Sequence, residues 1–141
     1  MTALDLAQRW ALDVKELPGA AHHPAIMWAH RLCKLGTATP DEVAWCSSIL
    51  NLIAWTLQLP MSYSAAARSW LDVGTPITLD QAVPGNDVVI LRRGTNPAQG
   101  HVALFVSRAG DRVSLCGGNQ GNRMSVATFP VADVIGVRRL A

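Results

Sequence analysis

The stretch DEVAWCSSILNLIAWTLQL, residues 41–59, joins an acidic loop to a long apolar segment, and Cys46 lies where the two meet. The apolar segment stops before Pro60, so we predict a helix from Cys46 to Leu59. The first turn of a helix carries unpaired backbone N–H groups and the positive end of the helix dipole. We therefore expect a lowered pKa for the Cys46 thiol, which makes it a candidate nucleophile.

Further helices are predicted on both sides of this stretch. Thr2 can cap a first helix whose apolar residues recur at helical spacing. Pro24 stands in the first turn of a second helix, and Gly36 follows the end of that helix. Ser64 and Gly74 bound a fourth helical segment, SAAARSWLDVG. The first half of the chain is thus predicted to be helical.

The second half consists of short β-rich runs separated by turn residues. The connections between these runs are short, which favours antiparallel neighbours. We predict an α+β fold in a single domain, 1–141, with the N-terminal helices packed on a C-terminal curved antiparallel sheet of about five strands. The predicted strands are DVVILRR (87–93), HVALFVSR (101–108), RVSLC (112–116), RMSVATF (123–129) and VIGVRRL (134–140).

Composition excludes several classes of protein. The 141 residues are 50% hydrophobic and 16% charged, and the net charge is +2, which fits a compact globule and not a disordered chain. Scattered Arg and Lys residues give no basis for nucleic-acid binding, and the longest apolar stretch is too short for membrane insertion. Asp5, Arg9 and Asp13 interrupt what would be the apolar part of a signal peptide, so we expect synthesis in the cytoplasm without an export signal.

The three cysteines cannot all pair within the chain, and none forms a CxxC motif, so a disulfide framework is not expected. Cys33 falls within a predicted helix and Cys116 at the end of a predicted strand, and both are typical of buried core thiols. Cys46 could be a core thiol as well. A nucleophilic role for it requires a base.

His101 is the best candidate for that base, because it opens the strand HVALFVS directly after NPAQG. Alternation along this strand puts His101, Ala103 and Phe105 on one face. If that face meets the helices, the small Ala103 lets a helix approach and brings the Cys46 sulfur within reach of the imidazole. The competing histidines lie before the Cys46 helix and are His22, His23 and His30.

The segment CGGNQGN supplies a group that could orient the His101 ring. The Asn119 side-chain oxygen can accept the proton of one ring nitrogen and leave the other nitrogen to act on the thiol. A glycine-rich segment of this kind is also what an ordinary turn looks like. The ordered set Cys46, His101 and Asn119 is more specific than any of its members.

The same segments resemble phage and prophage cell-wall hydrolases related to the CHAP and NlpC-type cysteine peptidases. The resemblance extends from ALDVKELPGAAHHPAIMWAHR through DEVAWCSSILNLIAW and GHVALFVSRAGDRVSLCGGNQGNRMSV to VIGVRRL, nearly the whole chain. It implies a papain-like fold that cleaves amide bonds in the peptides of bacterial peptidoglycan, with Cys46, His101 and Asn119 as catalytic residues. Many CHAP domains have a glutamate where this chain has Gly117, and no calcium-binding acidic loop is evident.

The resemblance implies a reaction, a partner and a location. The reaction is a Cys-His-Asn thiol mechanism without cofactor or metal, and the partner is bacterial peptidoglycan, bound by a monomer. Trp45 and Glu16 could line the cleft. The enzyme would reach the wall through a holin pore, in a phage particle or by dedicated secretion. Whether it is an amidase or an endopeptidase stays open.

Two other functions are compatible with the sequence. His30 and Cys33 share a helix face and, with His22 or His23, could belong to a zinc site, although a structural zinc site needs four ligands. The chain could also be a non-catalytic wall-binding or virion component that retains the hydrolase fold.

Overall fold

The computed structural model describes residues 1–14, 23–33 and 45–141. Within these ranges the chain forms three α-helices, α1 over Ala3–Trp10, α2 over Pro24–Leu32 and α3 over Cys46–Thr56. Short 3₁₀ helices cover Ala67–Asp72, Leu79–Gln81 and Val131–Asp133. The strands are β1 Thr75–Ile77, β2 Asp87–Arg92, β3 Gly100–Ala109, β4 Arg112–Gly117, β5 Ser125–Pro130 and β6 Val134–Arg139. None of the helices in these ranges is long and apolar enough to cross a membrane.

The three helices begin in different ways. Thr2 and Asp5 form a capping box at the start of α1, since each side chain accepts a hydrogen bond from the other's backbone N–H. The His23 ring accepts from the Ala25 N–H at the start of α2. No side chain caps α3, yet every residue from Cys46 to Ala54 is buried. Packing therefore holds α3 in place, and its first N–H groups stay available at Cys46.

The strands form one antiparallel sheet in the order β1-β6-β2-β3-β4-β5. The five predicted strands correspond to β2 through β6, at bounds within a few residues of those expected. The edge strand β1 was not predicted from the sequence. It is three residues long and contains Pro76, which strands tolerate only at an edge.

The two faces of the sheet pack against different groups. Val102 and Leu104 of β3 join the helices in one hydrophobic cluster. Ala103 and Phe105 of the same strand belong to a second cluster on the opposite face. The prediction of an α+β fold with helices on one side of the sheet is confirmed. The expectation that the face of His101 and Ala103 meets the helices is wrong, because the larger Val102 and Leu104 side chains fill the helix-facing side.

The fourth predicted helix is a 3₁₀ helix that begins at Ala67, three residues after the expected start at Ser64. The reason is that the Ser64 carbonyl is already engaged, because it accepts hydrogen bonds from Ser47 Oγ at 2.6 Å and from Asn51 Nδ2 at 3.2 Å. The Ser64 hydroxyl in turn accepts from the Ala66 N–H. These contacts hold residues 62–66 as a loop against α3.

Candidate active site

The Cys46 thiol lies at the start of α3 with 4% of the residue exposed. The backbone N–H of Val102 in β3 acts on the sulfur, which places the thiol beside the residue that follows His101. Burial raises the thiol pKa, whereas Val102, the charge of Arg93 and the first N–H groups of α3 lower it in part. The predicted lowering of the Cys46 pKa is therefore wrong in the free protein, because loss of hydration outweighs the helix start.

The His101 ring lies at the start of β3 on the face opposite the helices. The residue is 3% exposed, and its ring centroid is 5.3 Å from that of Phe129 in β5. Burial lowers the imidazole pKa, an effect that the hydrogen bond to Gln120 opposes and the charge of Arg93 reinforces. His101 is therefore a neutral imidazole at neutral pH, the form that can accept a proton.

The Gln120 side chain determines which ring nitrogen of His101 carries the proton. Its Nε2 donates to the carbonyl oxygens of Leu115 at 3.2 Å and Ser125 at 2.8 Å, so both amide hydrogens are in use. Its Oε1 therefore faces His101 Nε2, at 2.9 Å. Because an amide oxygen only accepts, His101 Nε2 must be the donor. The neutral ring thus has its lone pair on Nδ1.

His101 Nδ1 is buried and has no hydrogen-bond partner in the part of the chain that the structure describes. It is the basic atom of the ring, and it belongs to the residue before the one whose N–H contacts the Cys46 sulfur. A buried thiol, an oriented base and a helix start without a side-chain cap thus lie near the start of β3. Such a group can perform nucleophilic acyl transfer.

The predicted orienting residue, Asn119, does not contact the ring. Its backbone is left-handed, with φ of 58°, which Asn adopts more readily than other residues with a β-carbon. This turn directs the next side chain, that of Gln120, back towards β3. Asn119 is therefore the turn former, and the hydrogen-bonding role predicted for it is filled by Gln120. The preference of Asn for left-handed backbone is the sequence signal that could have separated the two amides.

Close packing surrounds the Gln120 turn. A β-carbon at Gly118 would lie 2.5 Å from the Trp45 ring, and one at Gly117 would lie 2.6 Å from the β-carbon of Ala103. Trp45 is fully buried in the helix-side core and packs against Gly118 of the turn. It therefore does not line the cleft, contrary to the prediction. A glutamate in place of Gly117 would collide with β3, which explains its absence.

One cavity opens at Cys46 and another at His101. The first, of about 250 Å³, is the Cys46 cavity and is walled by residues 65–67 and 98–100. The second, of about 480 Å³, is the His101 cavity and also contacts Asn119, Gln120 and Phe129. Arg93, directly after β2, lines both. The two cavities share this residue, and together they are called the cleft, with the thiol in one part and the imidazole in the other.

The residues of the zinc hypothesis have structural contacts. His30 Nδ1 is 2.9 Å from Ser48 Oγ, and Asn51 Nδ2 donates to Cys33 Sγ at 3.4 Å, so both residues join α2 to α3. The described residues contain no group of three or more His, Cys, Asp or Glu side chains that could hold a metal ion. Glu16 and His22 lie outside the described residues.

The sequence matches no protein-family model and no curated protein. Several solved structures are similar, and they include the following three. A protein described as similar to lipoprotein, NLP/P60 family, from Staphylococcus aureus is 15% identical with a TM-score of 0.55, over 99% of this chain and 40% of that one. NlpC1 from Trichomonas vaginalis is 21% identical with a TM-score of 0.49, over 89% and 46%. An NlpC/P60 family protein from Bacillus cereus is 14% identical with a TM-score of 0.45, over 67% and 31%.

The Staphylococcus aureus structure shows the fold of this chain, which is the papain-like α+β fold of NlpC/P60 proteins. The chain spans less than half the length of each of the three solved chains. The relation to CHAP proteins and a phage origin stay predictions.

Proposed function

We propose that this protein is a peptidoglycan hydrolase that cleaves amide bonds of cell-wall peptides through Cys46, His101 and Gln120. The observation that carries the proposal is the tautomer of His101. Gln120 fixes the proton on Nε2 and leaves the basic Nδ1 beside the strand residue that contacts the Cys46 sulfur. The NlpC/P60-type fold supports a cell-wall peptide as the substrate.

The proposed reaction starts from a neutral thiol and a neutral imidazole, since burial raises the pKa of Cys46 and lowers that of His101. His101 Nδ1 takes the thiol proton as the sulfur attacks the peptide carbonyl carbon. The oxyanion is held by backbone N–H groups at the start of α3, and the imidazolium then protonates the leaving amine. Water, deprotonated by His101, hydrolyses the thioester and restores the thiol.

Gln120 would act throughout by keeping the ring in one orientation. During the attack its Oε1 accepts a hydrogen bond from the positively charged imidazolium, which stabilises that form. The proposed partner remains bacterial peptidoglycan. A cytoplasmic origin and delivery to the wall by a holin pore, a phage particle or a secretion system belong to the same proposal.

The test is release of soluble peptides from purified peptidoglycan, with mass spectrometry of the fragments to identify the bond that is cut. We expect Cys46→Ala to lower the rate by at least about 1000-fold, because it removes the nucleophile. Cys116→Ala is the matched control, since it removes another buried thiol that lines neither cavity and should keep the rate within about twofold. Equal activity of wild type and Cys46→Ala would contradict the mechanism. An inactive wild type that still binds peptidoglycan would favour the non-catalytic wall-binding function.

A further inference from the structure

Arg93 borders both cavities of the candidate active site. Its charge acts on both the thiol and the imidazole. Among the described residues it is the one charged side chain that lines either cavity. As far as the described residues line it, the cleft therefore has a single positive charge, which borders both the Cys46 cavity and the His101 cavity.

Arg93 differs from the preceding residue, Arg92, in having no carboxylate partner among the described residues. Three other arginines of the sheet are ion-paired, and one of them is Arg92, which contacts Asp133 at 3.0 Å. Arg68 donates to the carbonyl of Gln99, a residue that lines the Cys46 cavity, at 2.7 Å. Within the described ranges Arg93 makes neither an ion pair nor a hydrogen bond. Its guanidinium is available to an incoming group.

We propose that Arg93 is a specificity-determining residue that binds a free carboxylate on one of the two residues joined by the scissile amide. This inference rests on the proposed function and names what that function recognises. A guanidinium presents several N–H donors in a fixed plane and pairs with a carboxylate through two parallel hydrogen bonds. Because Arg93 reaches both cavities, the carboxylate would lie close to the reacting carbonyl. Binding it would set the register of the peptide on Cys46.

The kinetic test compares native peptidoglycan with the same material after its carboxyl groups are converted to carboxamides with carbodiimide and ammonium. We expect the wild type to cut the native wall about tenfold faster, since a charged hydrogen-bonded pair contributes a factor of this order. Arg93→Gln should cut both materials at the slower rate. Arg92→Gln is the matched control, and it should keep the preference because its charge faces Asp133. A preference retained by Arg93→Gln, or absent from the wild type, would overturn the proposal.

A binding test separates this proposal from the proposed catalysis. Soluble muropeptides, with free or amidated carboxyl groups, are titrated calorimetrically into the Cys46→Ala variant, which cannot turn them over. We expect about tenfold tighter binding of the free form, and no difference between the forms once Arg93→Gln is added. Equal binding of both forms, or no binding of either, would overturn the role of Arg93. If the wild type cut no peptidoglycan while this difference persisted, the proposed hydrolysis would fail and carboxylate recognition would stand.

Discussion

The Gln120 amide contacts three strands at once, through His101 of β3, the Leu115 carbonyl of β4 and the Ser125 carbonyl of β5. We predict that Gln120→Ala lowers the peptide-release rate by about 100-fold, because the imidazole loses the acceptor that fixes its tautomer. The decrease should appear in kcat and not in KM, since the amide oxygen and both amide hydrogens are already engaged by His101, Leu115 and Ser125 and are not free to bind the substrate. Steady-state kinetics on a soluble muropeptide would measure the two separately.

Asn119→Gly provides the control for this prediction. Glycine keeps the left-handed backbone at position 119 and removes the amide, so the rate should stay within about twofold of the wild type. The reverse result, with Asn119→Gly inactive and Gln120→Ala active, would restore Asn119 as the orienting group.

At the scale of single residues, the position of Cys46 at a helix start and of His101 at a strand start was predictable, because both follow from helix and strand boundaries. The sequence could not separate Asn119 from Gln120. Adjacent residues in a turn point in directions set by backbone angles, and a positive φ at one position reverses the direction of the next. Nor could the sequence show that burial would dominate the pKa of Cys46, since hydration depends on every neighbour in the fold.

At the scale of elements, Asn51 links α3 to the loop that leads into the wall of the Cys46 cavity. Its Oδ1 accepts from the N–H groups of Ser62 and Tyr63, both at 3.0 Å, and its Nδ2 donates to the Ser64 carbonyl. We predict that Asn51→Leu lowers the free energy of unfolding by about 2–4 kcal/mol, because these buried groups lose their partners. Urea unfolding followed by circular dichroism would measure the change.

Thr56→Ala is the matched control on the same helix. Its hydroxyl donates to the Leu52 carbonyl near the exposed end of α3, so its removal should change stability by less than about 0.5 kcal/mol. Equal losses in the two variants would show that the loop contacts of Asn51 contribute nothing specific.

The strands were more predictable than the connections. β2 and β3 carry uninterrupted β-branched and aliphatic runs bounded by turn residues, so their positions follow from local pattern. The 3₁₀ helix at Ala67–Asp72 depends on the Ser64 carbonyl being taken by α3, a contact between segments that local pattern does not contain. The short edge strand β1 depends on its partner β6 in the same way.

At the scale of the whole molecule, the burial of His101 makes stability depend on pH. In the unfolded chain its pKa is about 6.5, and in the fold it is lower. Between these two values the unfolded state binds more protons, so stability falls as the pH drops from about 6.5 towards the lowered pKa. Above that range both states are neutral and His101 has no effect. Thermal unfolding should therefore show a lower melting temperature at pH 5 than at pH 8.

His101→Gln isolates this contribution, because glutamine does not titrate. We expect the variant to lose less stability than the wild type over the same pH interval. Identical pH profiles for the two proteins would mean that His101 binds its proton equally well in the folded and unfolded states, contrary to its burial and to the nearby charge of Arg93.

The layering of the molecule was only half predictable. Alternation along β3 assigns Val102 and His101 to opposite faces, and this part of the prediction is confirmed. The choice of the face that meets the helices depends on which set of side chains fills the larger volume, and sequence alternation does not contain that information. Small Ala103 instead accommodates the close approach of Gly117 from β4.

Cys46 lies on a helix in the first half of the chain and His101 lies on a strand in the second half, which has a consequence for the newly synthesised chain. On the proposed mechanism, the thiol leaves the ribosome well before its base and before Gln120. Until β3, β4 and β5 have assembled, Cys46 is an ordinary cysteine with no proton acceptor beside it. The nascent polypeptide is therefore harmless to peptides around it, and hydrolytic capacity arises only when synthesis and folding of the C-terminal strands are complete.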